Sequence, residues 1–407
     1  MLGGTIQPLT WARVLALRVA FALTQATAWL GGLQYYRNLF AALRAHGDGR
    51  IEPVLFVGRK YDDDLLRSFG DVESHRTPLL DRLSPAWTWR GAQRALIRHD
   101  GPLERLLHKH GASVLSHANP LGRRASLPAM CWIPDFQHTR LPELFDADEL
   151  ARRDKTFHTF SELADRVIVS SHDAQNDLRN FDARGAEKSR VLQFVAQPVP
   201  FENQPPLSDL KSAYGIEAPF FHLPNQFWKH KNHRTVIDAL RVLKERDQFV
   251  RVVATGATED FRHPGHYEWL LSYAREQGVD DRFISLGAVP FPHVAALMRE
   301  SIALVNPSLF EGWSTTVEES KSSGKRMVLS SIPVHIEQDP PGGVYFPPED
   351  AEALADALWQ VWDRRDAEAD QRLEEQAREA FPGRQEAFAR RFEEIAHEAA
   401  DAYRGRV

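Results

Sequence analysis

Short apolar runs alternate with longer stretches in which apolar residues recur at helical spacing, and that alternation predicts strands and helices in succession. The run LRVAFAL at 17–23 reads as a first buried strand. A polar turn leads from it into Trp29, Leu30, Gly31 and Gly32, then a helix with Leu33, Tyr36, Leu39, Phe40 and Leu43 on one face. PVLFVG at 53–58 predicts a second strand, and 61–64 (Tyr-Asp-Asp-Asp) an acidic loop. Helical spacing covers 93–99 and 103–110. Strands follow at 113–116, 130–133, 166–170 and 191–194, with a helix from Ser171 between the last two.

Periodicity then stops. Segment 197–206 holds Pro198, Pro200, Pro205 and Pro206 and reads as a linker. Beyond it the alternation restarts, with strands at 220–223, 251–255, 283–287 and 301–305 and helices at 233–244 and 293–299. Phe388, Phe392, Ile395, Ala399 and Tyr403 predict a C-terminal amphipathic helix. The expected division is a first domain over 1–196, the linker 197–206, a second domain over 207–383 and the terminal helix over 384–407. Two such halves imply two Rossmann-like, doubly wound parallel sheets facing an interdomain cleft, with ligands beyond the carboxyl ends of the strands.

The stretch 306–331 gathers the most chemistry. After the strand at 301–305 a loop carries Glu311 and Gly312 and a helix begins at Ser314 or Thr315. Thr315 with Glu318 fits a capping box, and Gly324 occupies the place of a helix-terminating glycine. A strand over 325–332 ends at Pro333. One carboxylate, Glu311, thus lies in a strand-end loop, and a second, Glu319, on the first turns of the helix. Each can accept two hydroxyl donors, which suits a sugar diol. Helix-start amides near Gly312 favour an anion.

With 407 residues, 43% hydrophobic and 26% charged, the chain has material for two cores. A net charge of −6 counts against nucleic acid as a partner. The single cysteine, Cys131, excludes an internal disulfide and fits a reducing compartment. The apolar segment 14–30 is broken by Arg18, Thr24, Gln25 and Thr27, so a buried strand and loop is expected rather than a membrane span; peripheral membrane contact stays open. No Gly-x-Gly-x-x-Gly follows the first strand, no P-loop occurs, and no zinc-ligand spacing is present. The Asp-x-Asp within 62–64 reads as a solvated loop rather than a metal site.

Four stretches carry a resemblance. SLFEGW at 308–313 running on to Glu319 resembles the Glu-x7-Glu signature of retaining, sugar-nucleotide-dependent family 4 glycosyltransferases of the GT-B fold. Trp29-Leu30-Gly31-Gly32 looks like that family's first helix start. IPDFQH at 133–138 with PELF at 142–145 is similar to its bacterial polysaccharide members, and NQFWKHKN at 225–232 to its phosphate-binding loop.

The resemblance implies a donor nucleoside-diphosphate sugar, UDP- or GDP-linked, with no further cofactor and no metal. The first domain would bind the acceptor, a glycan or lipid-linked hydroxyl, and the terminal helix would cross back to that domain. Glu319 would take the nucleotide ribose and Glu311 the donor sugar. Lys231, Asn225, Gln226, Gly31, Gly32, Gly312, Trp313, Ser314 and Thr315 would surround the diphosphate. His117, His138 and Asp135 would face the reaction, the two histidines competing for that place. An arginine that many relatives carry before the lysine is replaced here by Asn225 and Gln226. The setting implied is cytoplasmic, at or near the inner face of the membrane, in surface polysaccharide synthesis such as lipopolysaccharide. A sugar-nucleotide epimerase and a non-catalytic binding homologue are the competing readings.

Overall fold

The computed structural model describes residues 16–24, 30–216 and 219–405. Among them the first sheet has the order β3-β2-β1-β4-β5-β6-β7, every pair parallel. Its strands are β1 (Leu17–Leu23), β2 (Ile51–Gly58), β3 (Glu73–Thr77), β4 (Val114–Ser116), β5 (Ala129–Ile133), β6 (Arg166–Val169) and β7 (Ser189–Val191). The second sheet, also parallel, has the order β10-β9-β8-β11-β12-β13. It comprises β8 (Phe221–Leu223), β9 (Val252–Ala254), β10 (Phe283–Ser285), β11 (Leu304–Asn306), β12 (Met327–Ser330) and β13 (Gly343–Phe346).

The helices that position the cleft are α1 (Leu30–His46), α2 (Pro85–Ile97), α3 (Ala147–Leu163), α4 (His233–Glu245), α5 (Phe291–Glu300), α6 (Thr315–Ser323), α7 (Pro333–Gln338) and α8 (Ala367–Arg404). Central strands are covered on both faces, so they read as unbroken apolar runs. Each sheet has its own main core, one around Phe21, Tyr35 and Phe40, the other around Phe221, Leu240 and Val305.

The last helix ties the halves together. Near its start Arg326 pairs with Asp370, and the backbone at Leu373 and Glu374 presses on Gly324. Beyond Pro382, Phe388, Phe392, Ile395 and Ala399 enter the first domain's core beside α1. The expected crossing-back of the C-terminal helix is therefore present, and the helix starts at Ala367, well before the segment 384–407 expected for it.

Other departures have local causes. The acidic stretch at 61–64 is not a loop: Asp62 accepts from the Leu65 amide and caps the short helix Asp63–Arg67, while Asp63 pairs with Arg76. The strand expected at 191–194 sits earlier, as β7. The capping box is absent because Ser314, not Thr315, is the cap residue of α6. Glu318 instead turns into the protein, where Arg384 and Gln338 donate to it. Gly324 does end α6, with φ 68°. Trp29 lies outside the described residues.

Candidate functional site

The loops after β8 and β11 are laced together below the cleft. Asn225 donates through Nδ2 to Asn306 Oδ1 at 3.0 Å, and Asn232 donates to the Pro307 carbonyl at 3.1 Å. The Leu309 amide donates to the His230 carbonyl at 2.8 Å. Asn306 is the junction: its Nδ2 donates to Ser314 Oγ at 3.0 Å, and its Oδ1 accepts from Ser308 Oγ at 2.7 Å. Ser308 Oγ in turn stands 2.7 Å from Glu311 Oε1. Buried polar groups in such a network are satisfied by one another and hold a single arrangement.

Lys231 Nζ donates to Glu311 Oε1 at 2.6 Å. Burial alone would keep Glu311 neutral, but Lys231, with smaller help from His335 and His230, outweighs it and holds the carboxyl down at about 2. Glu311 is therefore a carboxylate at any physiological pH. Glu319 differs. Burial raises its pKa to about 7, against a hydrogen bond with Gln34 on α1 that favours the charged form. Two glutamates eight residues apart thus have opposite electrostatic settings, one made by a lysine and the other by exclusion of water.

The first domain closes the other side. A Cβ on Gly312 would stand 2.1 Å from the Pro134 carbonyl oxygen and 2.9 Å from Asp135 Cβ, so only glycine fits there. Trp313 donates through Nε1 to the Phe194 carbonyl at 3.0 Å and packs on the first domain's core. Gly312 and Trp313, expected beside a diphosphate, make the domain contact. Ser314 and Thr315 begin α6, where the Gln338 side chain brackets Ser314, accepting from its amide at 3.3 Å and donating to its carbonyl at 3.0 Å. Since Ser314 does not cap the helix with its side chain, the first-turn amides have no side-chain cap from it.

Gly31 and Gly32 lie in the first turn of α1, and a Cβ on Gly31 would meet nothing within 4 Å. Gln226 is half-buried next to the close approach of Gly256 to Asn225.

The two histidines separate. His117, at φ 53°, lines a first-domain cavity of about 370 Å³ together with Asn119 and Trp132. Its ring is held between Ser116 Oγ and Tyr35 OH, each at 2.7 Å, and burial lowers its pKa to about 3, so it is neutral. His138 is 2% exposed, packed among Phe136, Phe157 and Phe181, with Asp154 at 3.1 Å. It stands inside the first domain and not with the Glu311 group. Asp135 accepts from the Gln137 amide at 3.0 Å, faces Arg153 at 3.5 Å and borders Gly312.

Sequence reasoning missed two interdomain features: Glu337 accepts from the His172 and Asp173 amides and from Gln193 Nε2, and Arg262 reaches the first domain. Arg262, in the loop after β9, donates to Glu149 on α3 at 2.8 and 3.2 Å and lies over the Phe145 ring at 4.2 Å. Nothing in the local pattern near 262 marks it. Asn306 did carry a signal, as a polar residue ending a buried strand.

Two parallel doubly wound sheets, a cleft at their strand ends and a last helix returning to the first sheet decide the architecture. The fold is GT-B. Residues 222–364, which lie in the second half of this GT-B chain, match the family model described as glycosyl transferases group 1. No curated protein sequence matches the chain. Among solved GT-B relatives, a glycosyltransferase from Rickettsia africae ESF-5 superposes with TM-score 0.65 at 12% identity, covering 94% of this chain and 98% of that one. Anabaena Alr3699/HepE in complex with UDP and glucose gives 0.66 at 15% identity, covering 93% and 98%. WaaG, a glycosyltransferase involved in lipopolysaccharide biosynthesis, gives 0.56 at 15% identity, covering 94% and 98%.

Proposed function

We propose that this chain is a retaining family 4 glycosyltransferase that moves a sugar, most simply a hexose, from a UDP- or GDP-sugar to a hydroxyl of a glycan or lipid-linked acceptor. The observation that carries the reading is the Lys231–Glu311 pair at the ends of β8 and β11, with Glu319 facing α1 across the cleft. The match of residues 222–364 and the UDP-bound Anabaena relative support it.

In this reading Glu319 accepts the two ribose hydroxyls and Glu311 accepts hydroxyls of the donor sugar. Lys231 turns from Glu311 towards the diphosphate, joined there by the first-turn amides of α6. Catalysis rests on holding donor and acceptor in the cleft and on stabilising the departing diphosphate. The bond from the sugar's anomeric carbon to the β-phosphate oxygen breaks. The acceptor oxygen bonds to that carbon on the same face, and the acceptor proton passes to the leaving phosphate. His117, neutral and doubly hydrogen-bonded, positions the acceptor rather than taking its proton. The setting is the cytoplasmic side of bacterial surface polysaccharide synthesis, in keeping with the likeness to WaaG.

Thermal stabilisation by a panel of UDP-, GDP- and dTDP-sugars tests the donor assignment. A stabilising donor incubated with acceptor extract should then give a product whose anomeric configuration, read by NMR, matches the donor's. An inverted product would overturn the retaining mechanism, and no stabilisation by any sugar nucleotide would overturn the donor class.

A further inference from the structure

Helix α2 buries none of its residues. Its inward side carries Trp87, Arg90 and Arg94, which line the same first-domain cavity as His117, and Arg90 pairs with the buried Asp100 at 2.7 Å. The opposite side carries Trp89, Ala92, Ala95 and Leu96, all exposed, and at about 100° per residue they share a face that no charged side chain interrupts. Leu96 is 85% exposed and Trp89 49%. Leu83 before the helix and Ile97 at its end are exposed as well. Single exposed apolar residues are ordinary, but a run of them on one element with no protein cover marks a contact surface.

Charge selects the partner. Exposed Arg82 and Arg98 stand at the two ends of the helix, and no Asp or Glu occurs between Asp81 and Asp100. The backbone at Arg98 lies against Gly122, bringing exposed Arg124 near the same end.

We propose that this face docks in the plane of an anionic lipid bilayer, with Trp89 and Leu96 entering the acyl boundary and Arg82 and Arg98 meeting lipid phosphates. No helix of the described residues is long and apolar enough to cross a membrane, so the contact is peripheral. A second copy fits less well, because a two-fold contact on this face would bring together like-charged ends with no carboxylate on the helix to answer them. Because α2 also walls the cavity that holds His117, docking places that cavity beside the bilayer. The docking stands on the helix alone and does not rest on the reaction proposed above.

Flotation of the full chain with vesicles tests it. Phosphatidylcholine vesicles containing phosphatidylglycerol should carry the chain, phosphatidylcholine alone should not, and added salt should release it. Arg82→Gln and Arg98→Gln should each weaken association about fivefold, and the double variant Trp89→Ser/Leu96→Gln by about tenfold or more. These sites are exposed, so melting temperature and nucleoside-diphosphate affinity should stay at native values. Unaltered vesicle binding by Trp89→Ser/Leu96→Gln would overturn the proposal, as would no binding to either vesicle. A native dimer in light scattering that this double variant splits into monomers would assign the face to a second copy instead.

Discussion

Lys231 Nζ and Glu311 Oε1 stand 2.6 Å apart with only 16% and 9% of their side chains exposed. Removing one charge of such a pair leaves the other stranded, which costs more than the intact pair contributes. Lys231→Ala is therefore expected to lower the unfolding free energy by about 3 kcal/mol, read by urea titration, and to abolish nucleoside-diphosphate binding in calorimetry. Lys231→Met combined with Glu311→Gln should recover most of the stability and none of the binding. Native-like stability in Lys231→Ala would mean that water reaches Glu311 freely.

The two glutamates titrate in opposite senses. Glu311, held near 2, adds stability above the ordinary carboxylate range and loses it as pH falls towards 2. Glu319, raised to about 7, is favoured in its protonated form, so its burial subtracts stability as pH rises from the ordinary range through about 7. Glu319→Gln should then be more stable than the native chain at pH 8 by roughly 1–3 kcal/mol. If Glu319 accepts the ribose hydroxyls, the native donor KM should fall as pH passes about 7, while Glu319→Gln shows a higher and flatter KM. A native KM without that pH step would remove Glu319 from the ribose.

Gly312 fixes how closely the domains meet. A methyl group placed 2.1 Å from the Pro134 carbonyl oxygen forces one backbone to move. Gly312→Ala should lower stability by about 1–3 kcal/mol and reduce kcat far more than it weakens nucleoside-diphosphate affinity, because the donor loops remain intact within the second domain. Equal losses in both would place the glycine in the donor site itself.

Most strands were legible because strands buried on both faces read as continuous apolar runs, although the outermost strands β3 and β13, each with a single buried residue, were not expected; 17–23 is both the expected and the observed first strand. The early start of α8 was not. Its first ten residues, AEADQRLEEQ, are polar around most of the circumference, so no apolar stripe appears before the residues that enter the first core. Spacing picked out Glu311 and Glu319 but could not show which carboxyl meets a cation, since Lys231 comes from another strand end. His117 and His138 looked equivalent, both following strands. A left-handed residue at 117 lets one ring line the cavity, while the other points into Phe136, Phe157 and Phe181. Contacts between Ser314 and Gln338, or Glu149 and Arg262, join segments with no local pattern in common.

Arg262 and Glu149 form the last expected outcome, because they join the two domains across the cleft from the linker. Both side chains are about one-tenth exposed, and the guanidinium also lies 5.5 Å from the Trp228 ring of the Lys231 loop. The hydrogen bond from Arg262, against the effect of burial and with Arg153 assisting, keeps Glu149 below its ordinary pKa. Arg262→Ala leaves Glu149 with Arg153 at 3.3 Å as a substitute, so its cost should be the smaller, about 1–2 kcal/mol. Glu149→Ala strands a cation among aromatic rings and should cost about 3 kcal/mol. The double variant should show a coupling of about 1–3 kcal/mol. Both single variants should also increase the radius of gyration in solution scattering and lower kcat with donor affinity kept, since the second domain binds the donor by its own loops. Coupling within about 0.3 kcal/mol of zero, together with an unchanged radius, would mean that the other contacts between the domains, at Gly312, Trp313, Glu337 and α8, hold the cleft shut without this pair.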